Sequence, residues 1–142
     1  MCGIVGSVGL RNPKEYVTNG LKMLDYRGYD SAGLAYFNNG IKIYKDVGSV
    51  EHLVSIVPNK IDTNIMIGHT RWATHGAPTK LNTHPHISFN GHICLVHNGV
   101  IENYKELKKS LSDKGYEFYG ETDSEVVANL IEYHYLNNKD II

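Results

Sequence analysis

The residue with the most distinctive chemistry in this sequence is Cys2, which directly follows the first methionine. Removal of Met1 requires a small second residue, and it would leave Cys2 with both a thiol and a free α-amine. That amine has an ordinary pKa of about 7.7–8.0, so it can act as a base near neutral pH. The thiolate is a strong nucleophile. Cys2 alone could therefore supply nucleophile and base, although a Met-Cys-Gly start is weak evidence by itself.

Two other segments contain groups that could bind an anion or an oxyanion. Arg71 is suited to gripping a carboxylate through two parallel hydrogen bonds, although it could also be a surface arginine stacked on Trp72. The side-chain amide of Asn98, followed by the Gly99 N–H, provides the donors that an oxyanion hole needs. Asn-Gly is also the commonest turn dipeptide, and a plain turn is the favoured interpretation of this pair alone.

Two acidic residues have a local structural explanation that competes with a functional one. Arg27 and Asp30 lie in a polar turn, where a surface ion pair is sufficient explanation for both. Asp123 precedes a predicted helix and could simply cap it. If Thr122 is the cap, with Glu125 three residues on, the Asp123 carboxylate remains available for another partner.

The composition bounds the class of protein. The 142 residues fit one domain or part of one, and 42% of them are hydrophobic, enough for a core. With 14 Lys and Arg against 15 Asp and Glu, no basic field for nucleic acid is present. The two cysteines, Cys2 and Cys94, give no disulfide framework, which favours a reducing, cytoplasmic setting. No apolar run approaches membrane-spanning length.

Hydrophobic periodicity and turn signals predict the elements of the first half. A strand at 2–8 is followed by a helix that Asn12 caps, with Pro13 at its first position and a stop at Gly28. Strands at 31–37 and 41–45 are joined by a hairpin turn at 39–40. Ser49 is expected to cap a short helix at 50–57.

The second half is predicted in the same way. A strand at 65–69 leads into a long polar loop that reaches Pro85, and a loop of this length without structure of its own is usually functional or disordered. A hairpin turn at 90–91, a strand at 93–97, a capping box at Asn103 and a strand at 116–119 follow. The last helix covers about 124–136, with a predicted inner face of Val127, Leu130, Ile131 and His134. The hairpins favour an α+β fold with antiparallel sheets and helices outside.

Six segments of the sequence together resemble a known family. They are CGIVG at 2–6, YRGYDSAG at 26–33, HTRWATHG at 69–76, HPH at 84–86, VHNGVIEN at 96–103 and ETDSEV at 121–126. In this order they closely resemble the glutaminase domain of the class II, N-terminal-nucleophile glutamine amidotransferases. Tyr29, Trp72 and His75 resemble the branch that aminates fructose 6-phosphate. The resemblance covers the chain from Cys2 to about Leu136.

The resemblance implies a fold and a set of roles. The family fold is a four-layer αββα sandwich of two antiparallel sheets, of which residues 2–142 would be an incomplete N-terminal part. Cys2 resembles the nucleophile, with Asn98 and Gly99 holding the oxyanion. Arg71 resembles the residue that binds the α-carboxylate of glutamine, and Asp123 the one that pairs with its α-ammonium.

Four further residues take roles from the same resemblance. Thr74 and His75 lie in the same substrate-binding loop as Arg71. Trp72 resembles a gate between this site and an ammonia channel, and Arg27 a residue that supports the nucleophile.

The resemblance also implies partners. Glutamine is the substrate, and in full-length relatives a C-terminal sugar-isomerase region uses the ammonia to aminate fructose 6-phosphate. It implies a homo-oligomer at full length and neither cofactor nor metal. We expect no nucleic-acid partner and no membrane association.

Three alternatives remain open at this point. The chain could belong to another N-terminal-cysteine type, such as the amidophosphoribosyltransferases. It could be a non-catalytic fragment that retains the motifs. It could also be a metal-binding module, because it has eight histidines, including His84 and His86, although it lacks paired-cysteine spacing.

Overall fold

This computed structural model describes residues 2–73 and 76–138. Its elements, in chain order, are β1 (Gly3–Val8), α1 (Pro13–Met23), a 3-10 turn (Asp25–Arg27), β2 (Ser31–Phe37), β3 (Ile41–Val47), α2 (Val50–Ile56), β4 (Ile65–Arg71), β5 (His86–Ile87), β6 (Cys94–Leu95), α3 (Tyr104–Ser112) and α4 (Asp123–Asn138). Within the described part of the chain, no helix is both long and apolar enough to cross a bilayer.

The strands form one four-stranded antiparallel sheet and one small sheet. The order in the larger sheet is β1-β4-β2-β3, and β5 pairs with β6 in the smaller one. The predicted hairpin between β2 and β3 is confirmed, because Asn39 takes a left-handed φ of 49° at the turn. The hairpin at 90–91 is also confirmed, although its strands are only two residues long. The predicted α+β class with antiparallel pairing is therefore correct.

Helices α1 and α2 cover one face of the larger sheet. Leu34 from β2 and Met66 from β4 point to this face, where they meet Val17 and Leu21 from α1 and Leu53 from α2. All five side chains are buried, and burial of each contributes about 1.5–3 kcal/mol. The core of the described residues therefore lies between this face and the two helices.

The opposite face of the sheet is covered by a loop instead of a helix. A Cβ added to Gly33 of β2 would lie 2.1 Å from the carbonyl oxygen of His84, so the loop rests directly on the strand. The ammonium of Lys45 donates to the carbonyls of Thr83 at 2.6 Å and Pro85 at 2.9 Å. Burial lowers the pKa of Lys45 to about 8. The His84–Pro85 peptide bond is cis.

The buried face of α4 differs from the predicted one. Val127, Leu130 and Ile131 are only half-buried and His134 is exposed, whereas the buried positions include polar residues. Among them are Ser124, Glu125, Asn129 and Glu132. The apolar periodicity therefore indicated the wrong face of this helix.

The physical reason is that the buried face of α4 binds backbone groups of the β5–β6 hairpin. Both carboxylate oxygens of Glu132 accept hydrogen bonds there, including the Asn90 N–H and the His92 N–H, each at 3.1 Å. Asn129 Oδ1 accepts the Phe89 N–H at 2.7 Å. Buried backbone donors need partners, and here polar side chains of a helix supply them.

The predicted strand at 116–119 is wrong for a related reason. The carboxylate of Glu125 accepts the N–H groups of Tyr119 and Gly120, each at 2.8 Å, so these donors are not available to a neighbouring strand.

Two predicted helix caps are also wrong. Asn12 adopts a left-handed conformation, and neither its side chain nor that of Asn103 makes a capping hydrogen bond. Ser49 is confirmed as the cap of α2.

We expect Gly33→Ala to destabilise the fold by about 1–3 kcal/mol or more, because the new methyl group would collide with backbone atoms of the loop. Urea unfolding measures the loss. The matched control is Gly6→Ala in β1, where an added Cβ meets no atom within 4 Å. Equal stability of the two variants would contradict the direct packing of the loop on β2.

Candidate active site

One open cleft of about 530 Å3 brings together most of the residues that the sequence singled out. Seven predicted site residues line it: Cys2, Arg27, Arg71, Trp72, Asn98, Gly99 and Asp123. The other two, Thr74 and His75, lie outside the described residues, as does Met1. Residues that are distant in sequence therefore meet in one place.

Strand register places Cys2 at this cleft. Gly3 of β1 pairs with Thr70 of β4, which brings Cys2 beside the last residue of β4 and the chain that follows it. The Cys2 thiol lies against the main chain of Trp72. Its Sγ accepts the Trp72 N–H at 3.3 Å and lies 3.7 Å from the Trp72 carbonyl oxygen.

Asn98 reaches the same position from the segment after β6. Its Nδ2 donates to the carbonyl oxygen of Cys2 at 3.4 Å, and its Oδ1 lies 2.8 Å from Nε2 of His69. Gly99 follows and also lines the cleft. The amide of Asn98 thus contacts the main chain of Cys2, and both residues line the cleft.

Arg71 and Trp72 line the cleft at the end of β4. Arg71 is 4% exposed, and its guanidinium donates to the carbonyls of Ala77 and Gly76 at 3.4 and 3.3 Å. The Trp72 ring is half-exposed and covers Gly28, where an added Cβ would lie 3.2 Å from the ring. Gly28 has a φ of 71°, so both its backbone and its small size suit this contact. Arg27, the preceding residue, is exposed.

Asp30 fastens the segment after β4 to the start of β2, a role that the sequence did not predict. Its carboxylate accepts the Ala73 N–H and, at 2.8 Å, the Ser31 hydroxyl. Its own N–H donates to the Arg71 carbonyl at 2.8 Å. Asp30 therefore binds the backbone on both sides of Trp72, the residue whose N–H faces the Cys2 thiol.

The structure decides between the two predicted caps of α4. Thr122 Oγ1 accepts the Glu125 N–H at 3.3 Å, as an N-cap does. The Asp123 carboxylate instead accepts the Ile101 N–H at 2.7 Å and lines the cleft. Asp123 is thus available to the cleft, the arrangement that a Thr122 cap was expected to permit.

Three buried histidines pack against one another beside the cleft, which His84 lines. We call them the histidine stack: His69, His84 and His86. The rings of His69 and His84 are 4.2 Å apart at 25°, and those of His84 and His86 are 4.5 Å apart. His86 Nε2 is 2.9 Å from the Thr122 hydroxyl. The sequence marked these histidines as members of motifs and pointed to His84 and His86 as possible metal ligands, but nothing local shows that 69 and 84 meet.

Burial is the main cause of the low pKa values in the histidine stack. It lowers the pKa of His69 to about 4 and that of His86 to about 3. The pKa of His84 is also well below its usual range, because of burial and then the neighbouring rings. All three rings are therefore neutral near pH 7. Among the described residues, no cluster of His, Cys, Asp and Glu is arranged to hold a metal ion.

Comparison with known proteins points to one family. The sequence profile of the glutamine amidotransferase domain matches residues 58–135. The glutamine–fructose-6-phosphate aminotransferase (isomerizing) of Caldanaerobacter subterraneus subsp. tengcongensis is 53% identical over 100% of this chain and 23% of that protein. The corresponding protein of Thermus thermophilus is 50% identical over 95% of this chain and 23% of its own length. The chain thus spans about a quarter of these relatives.

Two solved structures share the fold. A glutamine phosphoribosylpyrophosphate amidotransferase from B. subtilis, complexed with ADP and GMP, superposes with a TM-score of 0.76 at 28% identity. A structure described as the allosteric regulatory enzyme of purine biosynthesis gives 0.78 at 26% identity. Each match covers 93% of this chain and 29% of the other.

We expect Thr122→Val to destabilise the protein by about 1–2 kcal/mol, because it removes the cap of α4. It also removes the partner of the buried His86. Thr122→Ser is the matched control, since it keeps the hydroxyl and should lose much less stability in thermal or urea unfolding. A loss of stability in Thr122→Ser with none in Thr122→Val would show that Thr122 acts through its methyl group and not as a cap.

Proposed function

Because the chain belongs to the glutamine amidotransferase domain family, we propose that it hydrolyses the side-chain amide of glutamine and releases ammonia. The observation that supports this most directly is the convergence of the Cys2 thiol, the Asn98 amide, Arg71 and Asp123 on one cleft. These groups provide a nucleophile, an oxyanion donor and one charge for each end of an amino acid.

The proposed reaction begins with attack of the Cys2 sulfur on the carbonyl carbon of the glutamine side chain. The negative oxygen that forms accepts hydrogen bonds from Asn98 Nδ2 and the Gly99 N–H. The tetrahedral intermediate then expels the nitrogen as ammonia and leaves a thioester on Cys2. Water hydrolyses the thioester to glutamate and restores the thiol.

The base in this proposal is the α-amine of Cys2, acting through water. It takes the thiol proton and gives it to the departing nitrogen. With Met1 attached, the nitrogen of Cys2 belongs to an amide, which is not basic near pH 7. The proposal therefore requires that Met1 be removed from active protein, which intact mass spectrometry can establish.

Glutamine at this site is a zwitterion, so its two α-substituents need opposite partners. We assign the α-carboxylate to Arg71 and the α-ammonium to Asp123, both of which line the cleft. Thr74 and His75 stay predictions as further contacts to glutamine. The roles of Trp72 as a gate and Arg27 as a support also remain proposals. Both residues line the cleft and have exposed side chains, which is consistent with those roles.

For the whole protein, we propose that the ammonia aminates fructose 6-phosphate to glucosamine 6-phosphate in a C-terminal sugar-isomerase region. The support is that relatives named for that reaction are 46–53% identical to this chain. The two solved structures described above are 26–28% identical, so the amidophosphoribosyltransferase alternative is less well supported.

The remaining proposals for the whole protein concern its architecture and setting. A complete domain would be the four-layer αββα sandwich, with residues 2–142 forming its N-terminal part, and the full protein would be a homo-oligomer. A cytoplasmic setting fits the two free thiols, Cys2 and Cys94.

The direct test is Cys2→Ala, which we expect to reduce glutamate release from glutamine to background. Cys94→Ala is the matched control and should retain activity, because Cys94 lies in β6 and burial raises the pKa of its thiol to about 12. Glutamate release by Cys2→Ala at the rate of the unaltered protein would refute the thioester mechanism.

Asp123→Asn should raise the KM for glutamine roughly tenfold to a hundredfold, because a charged partner of the α-ammonium is lost. The rate of Cys2 alkylation by iodoacetamide should not change, since that reaction involves no ammonium group. The melting temperature should also hold, because Thr122 caps α4. A lower melting temperature with an unchanged KM would make Asp123 a structural residue.

A further inference from the structure

We propose that His69 is a positioning residue that determines which end of the Asn98 amide faces Cys2. The two side chains meet at 2.8 Å, between His69 Nε2 and Asn98 Oδ1, although 29 positions separate them in sequence. The inference rests on the proposed function, in which Asn98 stabilises the oxyanion. It adds a residue of β4 that has no direct contact with glutamine in the mechanism above.

The orientation of the amide follows from its two neighbours. The carbonyl oxygen of Cys2 can only accept a hydrogen bond, so the group that lies 3.4 Å from it must be the amino end of Asn98. The other end, Oδ1, can only accept, and it faces His69. His69 must therefore donate from Nε2, which makes it the Nε2–H tautomer.

The surrounding structure holds His69 firmly in this position. Its side chain is fully buried, its ring stacks on that of His84 at 4.2 Å, and its backbone lies between two strands, paired with Ile4 and Gly33. Burial also keeps the ring neutral at working pH, with a pKa of about 4, so it has a single N–H. Nδ1 has no hydrogen-bond partner in the part of the chain that the structure describes, so this proton lies on Nε2, where Asn98 Oδ1 accepts it. The His97 backbone is a further hydrogen-bonding neighbour of the ring.

The chemical consequence concerns the polarity of the oxyanion site. An amide NH2 group has two hydrogens, of which one can bind the Cys2 carbonyl while the other points to the oxyanion. If the amide were rotated by half a turn, Oδ1 would face the oxyanion, and two electron-rich oxygens would repel each other. The His69 N–H opposes that rotation, since the rotated amide would present a donor to a donor.

The first experiment compares His69→Leu, which removes the donor, with His69→Gln, whose side-chain NH2 can replace it. Glutamate release should show a kcat for His69→Leu that is lower by roughly tenfold or more, up to the 10²–10³ that loss of an oxyanion donor costs. The KM and the rate of iodoacetamide alkylation of Cys2 should change little. His69→Gln should recover most of the kcat.

His86→Leu is the matched control, because it removes another buried ring of the histidine stack that hydrogen-bonds Thr122 and not Asn98. We expect it to lower the melting temperature but leave kcat within about threefold of the unaltered protein. An equal fall of kcat in His86→Leu and His69→Leu would overturn the proposal, because general damage to the stack would then explain both.

A double-mutant cycle with Asn98→Ala makes the test specific. Once Asn98 is removed, His69→Leu should cause no further fall of kcat. A full further fall would show that His69 acts independently of Asn98 and would overturn the inference. An unchanged kcat in Asn98→Ala would remove the oxyanion role of Asn98, and the inference with it, while leaving the Cys2 result intact.

A measurement on the unaltered protein covers the case in which the leucine variant does not fold. Nitrogen-15 NMR of histidine-labelled protein, assigned with His69→Gln, should show His69 as the neutral Nε2–H tautomer between about pH 6 and pH 8. The Nδ1–H tautomer would overturn the proposal even if every activity result agreed with the proposed function. This readout also remains valid if no glutaminase activity is found.

Discussion

The antiparallel register of β1 against β4 decides where chemistry can occur in this domain. Gly3 pairs with Thr70, so Cys2 arrives level with the end of β4 and its thiol meets the backbone just beyond it. Side chains alternate along a strand, which puts His69 and Arg71 on the face away from α1. A slip of one residue would turn both toward the helices and would separate Cys2 from its present neighbours.

Loops cover much of the second face of the sheet, and this arrangement explains why α4 buries polar residues against them. A loop cannot pair its own backbone N–H and C=O groups as a helix does. Side-chain oxygens of Glu125, Asn129 and Glu132 in α4 therefore accept the N–H groups of the loops. Burial raises the pKa of Glu132, but the hydrogen bonds from Ser88, Asn90 and its other neighbours outweigh burial and lower it overall. The carboxylate therefore stays ionised and holds the hairpin in place.

The sequence predicted the features that depend on neighbouring residues. The β2–β3 hairpin followed from its turn dipeptide, and the cap of α2 from Ser49. Seven of the nine expected site residues line one cleft. They could be named in advance because the motifs, taken together, were more specific than any single local pattern. The polar face of α4 and the histidine stack could not be predicted, since α4 binds a hairpin 40 to 44 positions away and the stack brings His69 of β4 against His84 of a loop. Periodicity reports which residues are apolar, and here the helix buried its polar ones.

The charge of the cleft depends on the neutral rings of the histidine stack and on the charged residues that line the cleft. Burial comes first among the causes that keep the three rings neutral, and the positive charge of Arg71 also lowers each pKa. Neutral rings can pack near a buried guanidinium without repelling it. The charged side chains that line the cleft are then Arg71, Asp123 and the exposed Arg27. Such a field suits a zwitterion better than a simple anion, which Asp123 would repel. The burial that keeps His69 neutral also leaves it a single N–H for Asn98, so the charge balance of the cleft and the orientation of the Asn98 amide depend on the same packed rings.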